Sequence, residues 1–190
     1  MDDRFMLFGM ESFNELLNQV LPASVNIESV LMKIIGSGFD ESKLSGLLSQ
    51  IAKIFTDPLE NLDDDLKYHM KQQLGYAINK KIVIKSDILG DLTVEILQKE
   101  PKIKIYKSTS EDITKFPVIT LNKDAILSIL GRKATMLEMI LKKQISISNT
   151  IELAQGFTRL LLAIPTLYLT QKELLVKVQQ GFQSLFSQFN

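Results

Sequence analysis

The spacing of apolar residues changes period once along this chain, close to Ala77. Before that point it is helical. In "MESFNELLNQVL" the apolar residues Phe13, Leu16, Leu17, Val20 and Leu21 recur at intervals of three and four until Pro22, which is the spacing of one helix face. "SVNIESVLMKII" repeats the pattern and stops at the "GSG" of 36–38; "ESKLSGLLSQIAKIF" and a segment near "NLDDDLKYHMKQQLGYAI" follow. Residues 1–76 are therefore expected to form four short amphipathic helices.

After Ala77 the period falls to two. "KKIVIKS", "DLTVEILQ", "PKIKIYKS" and "FPVITLN" are short and rich in β-branched residues, and they alternate, as in Ile103 and Ile105 against Lys102 and Lys104. This predicts an antiparallel meander of about four strands, linked through "DILGD", "KEP" and "TSEDITK", with one apolar face and one wet, basic face. Asn122 can cap a helix carrying Ile126, Leu127, Ile129 and Leu130, with Gly131 suited to a left-handed stop. A second helix runs through Met136, Met139 and Ile140, and "QISIS" reads as a fifth strand. A helix through Ile151, Phe157 and Leu161 should break at Pro165, and a last one sets Leu174, Val178, Phe182, Leu185 and Phe189 along one stripe.

The expected fold is α+β: a five-stranded, mainly antiparallel sheet with helices packed on one face, preceded by an N-terminal helical segment. Residues 1–76 form the helical extension and 77–190 the α+β domain. The charge divides at the same place. Residues 1–76 hold twelve Asp/Glu against six Lys/Arg, and 77–190 hold ten against sixteen. Such a split suits two halves that attract each other, or a basic face that meets an anionic membrane surface.

Reactive chemistry is scarce. With no Cys there is no thiolate nucleophile and no thiolate metal site, and His69 is the sole histidine. "LDDDL" (62–66) lacks the alternating acids and central Gly of a calcium loop and reads as the acidic first turn of a helix. "GSG" has no following Lys-Ser/Thr and reads as a helix stop rather than a phosphate cradle. The basic strands place Tyr106 and Phe116 near lysines but offer few aromatics as stacking platforms, so nucleic acid is not expected. The expectation is a non-enzymatic protein without metal or cofactor. The N-terminal "MDDRFMLFGMESF" lacks the basic start of a secretion signal, so a cytoplasmic location is expected.

"VITLNKDAILSILGRK", with Thr120, Leu121, Asp124, Leu127 and Gly131, and "KQISISNTIELA", with Ile145, Ile147, Ser148, Leu153 and Ala154, resemble the sterol carrier protein type-two family of lipid-binding domains. The family's strand-opening Gly falls on Lys143, and its Gly-Asp pair on Asn149-Thr150. The resemblance implies a tunnel between sheet and helices that takes an apolar lipid: a fatty acyl chain, an acyl-CoA, a sterol or a phospholipid. It implies a lining drawn from Leu127, Leu130, Met136, Met139, Ile140, Ile147, Phe157 and Leu161, with Phe182 and Phe186 as a lid. The alternative is an accessory subunit with a filled core that docks on a partner, or homodimerises, through its N-terminal helices.

Overall fold

A computed structural model describes residues 3–36, 40–97, 102–148 and 162–189. The four N-terminal helices form where the periodicity places them: α1 (Asp3–Val20), α2 (Ile27–Gly36), α3 (Glu41–Thr56) and α4 (Asp64–Gly75). Local capping fixes their starts. The Asp40 carboxylate accepts from Ser42 N at 2.8 Å, and Asp63 Oδ1 accepts from Leu66 N at 2.9 Å. The acids of "LDDDL" thus serve the first turn of α4, which leaves backbone N–H groups in need of acceptors. Among the described residues no cluster of three or more His, Asp or Glu is arranged to hold a metal, and no helix is long and apolar enough to cross a membrane.

The strands are β1 (Lys81–Ser86), β2 (Gly90–Leu97), β3 (Lys102–Lys107), β4 (Val118–Leu121) and β5 (Ile145–Ser148), in the order β3-β2-β1-β4-β5. The first three form an antiparallel meander. The fourth does not continue it: β4 pairs with β1 in parallel, on the side away from β2. The cause lies in "TSEDITK", which is α5 (Ser110–Lys115) rather than a plain link. Thr109 Oγ1 accepts from Asp112 N at 3.1 Å while the Asp112 carboxylate accepts from Thr109 N at 2.9 Å. This reciprocal cap starts a helical turn. The turn gives the chain the crossover that a parallel pairing requires.

Two short helices, α6 (Lys123–Leu130) and α7 (Met136–Leu141), join β4 to β5, which pair antiparallel. Asn122 caps α6 as expected, accepting from Ala125 N at 2.8 Å. The stop differs by one residue. Gly131 has φ −80°, and it is Arg132 that turns left-handed at φ 59°. Arg132 N bonds Ile129 O and Lys133 N bonds Ser128 O, the paired bonds of a Schellman stop. Gly131 is needed for another reason: a Cβ there would lie 2.7 Å from Leu127 O. The end of α7 repeats the motif, with Lys143 at φ 58°, Lys143 N on Ile140 O and Gln144 N on Met139 O. The position that carries Gly in the family pattern is therefore left-handed here, with Lys accepting the strain.

Helical residues 162–170 (α8) run through Pro165 instead of ending there, and α9 (Lys172–Ser187) closes the described chain. The Thr166 and Thr170 hydroxyls donate to the carbonyls of Leu162 and Thr166, each at 2.7 Å. Side-chain bonds of this kind to the i−4 carbonyl favour bending of a helix, as does Pro165, which has no N–H to give.

The main core crosses the boundary near residue 77. Leu16 and Val20 of α1, Leu59 and Met70 pack with Leu167, Tyr168, Leu174, Val178, Phe182 and Leu185. Gly181 lets α3 and α9 approach closely, since a Cβ there would meet Ile54 Cγ2 at 2.8 Å. Lys33 Nζ donates to Phe189 O at 2.6 Å and Gln179 Nε2 to Gln19 O at 2.9 Å, tying α2 and α1 to α9. The N-terminal helices and the last two helices are one packing unit. Burial and lack of a water shell push the Tyr168 hydroxyl above its ordinary pKa, and it donates to Phe55 O.

α3 also covers the β3 edge of the sheet. Ser49 Oγ accepts from Ile103 N at 3.1 Å and donates to Ile103 O at 3.2 Å. Ser45 Oγ accepts from Ile105 N at 2.9 Å and lies 3.5 Å from Ile105 O. An exposed edge is a template for unwanted strand pairing, and here two serines occupy it.

Candidate functional site

Strand register divides the sheet into two faces. Partners across a ladder share a face and alternate along each strand. The sets Ile82–Val94–Ile105, Leu92–Ile84–Ile119–Ile147, Ile96–Ile103 and Leu121–Ile145 all fall on one side. That face is apolar on all five strands apart from Ser86 at the end of β1 and Lys107 at the exposed end of β3.

The opposite face carries Lys81, Lys85, Asp91, Glu95, Lys104 and Tyr106. Its centre is nevertheless covered. Val83 and Thr93 are 0% exposed, and Thr93 Oγ1 lies 2.9 Å from Ser108 Oγ at the start of the β3–β4 crossover. Asp112 of α5 is buried, and the Thr109 backbone N–H bond, more than any other contact, holds its carboxyl below the usual carboxylate range. Lys81 Nζ lies 5.5 Å from the Phe116 ring and 5.7 Å from the Tyr106 ring. A hydrogen bond with Tyr106 raises the Lys81 pKa. Lysine heads thus cover both aromatics, which explains why a basic face with Tyr106 and Phe116 is not a ready stacking platform.

Closure of the apolar face is uneven. Ile82, Leu92, Ile105 and Ile145 are buried, whereas Ile84, Ile119 and Ile147, adjacent across β1, β4 and β5, are only half-buried. Ile84 and Ile119 sit on inner strands, where a sealed core would exclude water from the inner face, and Ile147 sits on the edge strand β5. Ala125, Met139 and Ile145 form a small second core, with Ile119, Leu121, Ile129, Ala134, Ile140 and Ile147 packed around it.

Of the residues singled out in the sequence, Met139, Ile140 and Ile147 come together in this second core. Met136 is half-buried at the start of α7. Leu127 and Leu130 face another way, onto a cleft between α6 and the α1–α2 link, and Leu130 also packs against the helical core. Phe157 and Leu161 lie outside the described residues. Phe182 and Phe186 belong to the helical core, where Phe182 meets Phe55 edge-on at 5.7 Å and stacks on Phe186 at 6.1 Å. They are anchors in the packing of α3 against α9, not a cover over the Met139 cluster.

Ile84 and Ile119 complete a row beside Ile147 and are not among the residues singled out in the sequence. Their signal was present in the alternation of "KKIVIKS" and "FPVITLN", but only the pairing of β1 with β4 makes them neighbours of Ile147. His69 is exposed on α4. Comparison with protein-family models, with curated proteins and with solved structures found no match.

Proposed function

We propose that this protein binds an apolar lipid, such as a fatty acyl chain or a sterol, against the apolar face of its sheet, without catalysis. The observation that carries the reading is the half-buried row Ile84–Ile119–Ile147, apolar surface running from β1 to the β5 edge that the described helices leave partly open. The element order supports it. A strand ending Thr120-Leu121, two short helices and the strand Ile145–Ser148 follow one another as the family resemblance implies. The driving force is burial: several hundred Å² of acyl surface at about 25 cal/mol per Å² gives several kcal/mol before ordering costs.

The test is uptake of a fluorescent fatty acid by the wild-type chain and by Ile119→Trp, with native mass spectrometry of the purified protein to identify any lipid it carries. Bound lipid near one per chain, together with a Trp variant that folds normally but takes up none, is the expected result. A wild-type chain that carries and takes up nothing refutes the carrier. A Trp variant destabilised by about 1–3 kcal/mol, the cost of overfilling a packed core, says that the face is closed.

A second reading rests on Phe8 (59% exposed) and Met32 (47% exposed) of α1 and α2. Large apolar side chains held in water suit a helical surface that docks on a partner or a second copy. Light scattering of the wild type and of Phe8→Asp/Met32→Asp separates the two: a dimer lost on substitution favours docking.

A further inference from the structure

On the side of α6 turned towards α2 lies a cleft of about 300 Å³, at the small end of ligand-binding pockets. Its lining is mixed: Leu21 and Val25 from the α1–α2 link and Leu127 and Leu130 from α6 supply the apolar part, and Asn26 adds a polar group beside them. Its rim is charged, with Arg132 and Lys133 on one side and Glu28 of α2 on the other. Two cations against one carboxylate leave the lining with a net charge of +1.

The turn after α6 builds this arrangement. Gly131 permits the tight approach to Leu127 O, and the left-handed Arg132 swings its guanidinium onto Leu21 O at the end of α1. That bond fixes one wall to the other and holds the Arg132 charge at the rim. Lys133 follows at the mouth and is exposed. A cleft with an apolar part beside a net positive rim has the chemistry of a receptor for an amphiphile with an anionic head.

We propose that this cleft binds a small amphiphilic anion, a carboxylate or phosphate head on a short apolar body. The site is separate from the sheet face and does not depend on the lipid reading. Arg132 and Lys133 hold the head, Leu127 and Leu130 hold the body, and Glu28 opposes the ligand's charge.

The test is an NMR titration of the full chain with octanoate, octyl phosphate, neutral 1-octanol and inorganic phosphate. Octanoate or octyl phosphate should bind about three- to fivefold tighter than 1-octanol, the size of a surface ion pair. Which of the two binds tighter identifies the head group. Lys133→Glu should abolish the preference, and Glu28→Gln should strengthen anion binding about twofold. Both residues are exposed, so neither change should disturb folding. Equal binding of octanol and octanoate, or a preference that survives Lys133→Glu, overturns the proposal. So does inorganic phosphate that binds as tightly as octyl phosphate, since the apolar part of the lining would then contribute nothing. Octanoate that perturbs Ile119 and Ile147 but not Leu127 and Leu130 overturns this site while leaving the sheet-face carrier intact.

Discussion

Replacing Ser45 and Ser49 by Ala should detach α3 from the sheet edge at a cost that the geometry sets. Four residues of helix rise about 6.0 Å and two residues of strand about 6.6 Å, so serines at i and i+4 meet strand residues j and j−2 almost in step. Each hydroxyl imitates a neighbouring strand, accepting one N–H, while Ser49 also donates to the Ile103 carbonyl at 3.2 Å. A net hydrogen bond contributes about 1 kcal/mol, and a part-buried N–H left without a partner costs about 1–3 kcal/mol. Ser49→Ala should therefore cost about 1–2 kcal/mol, Ser45→Ala slightly less because its carbonyl contact is 3.5 Å, and the pair about 2–4 kcal/mol. Urea unfolding followed by circular dichroism measures the loss, with the exposed Ser42→Ala as a control expected within about 0.5 kcal/mol of wild type. Amide hydrogen exchange at Ile103 and Ile105 should quicken in the same variants. A double variant as stable as the control, with unchanged exchange at those two amides, would show that the serines do not hold the edge.

Two further outcomes follow from the backbone and from buried charge. Lys143→Gly should stabilise the protein by about 0.5–1 kcal/mol, because relief of about 1–2 kcal/mol of left-handed strain exceeds the extra unfolded-state entropy of glycine; thermal unfolding measures it, and a lower Tm contradicts it. Asp112 has its pKa depressed in the folded state, so its stabilisation is present above the unfolded value near 4 and is lost as pH falls below it. Asp112→Asn should cost about 1–3 kcal/mol at pH 7 and flatten that acid dependence, read from urea midpoints between pH 3 and 7; an unchanged pH profile contradicts it.

Periodicity carried most of the fold. The helices of residues 3–75 and all five strands lie where apolar spacing puts them, because burial selects one face of a helix and one face of a strand. What spacing could not supply was pairing. Whether β4 extends a meander or crosses to β1 depends on α5, whose only local sign is Thr109 set three residues before Asp112, with Asp in place of the commoner Glu or Gln. The half-open row was invisible for the same reason, since Ile84 and Ile119 sit more than thirty residues apart and become neighbours only through that crossover. Pro165 points the other way: the spacing reads it as a stop, yet it is buried within helical residues 162–170, which continue past it.

The shared helical core bears on where any ligand gate can lie. A lid must leave its seat at small cost, yet Phe182 is 3% exposed and wedged between Phe55 and Phe186. Truncating such a ring costs about 3–5 kcal/mol, and swinging it out forfeits much of the same packing. The apolar stripe of α9 is committed to α1 and α3, so the N-terminal helices use the surface that the family resemblance would have given to a lid. For the proposed lipid, access to Ile84, Ile119 and Ile147 would be governed nearer the sheet, and α7 is a described element suited to it. It is six residues long, it ends on a strained Lys143, and it holds Met139 against β5 beside an exposed Leu141. On the proposed lipid reading, Lys143→Gly should slow exchange of a fluorescent fatty acid as well as raise stability, whereas Phe182→Leu should lower stability without changing the exchange rate; equal exchange rates in the wild type and Lys143→Gly contradict it.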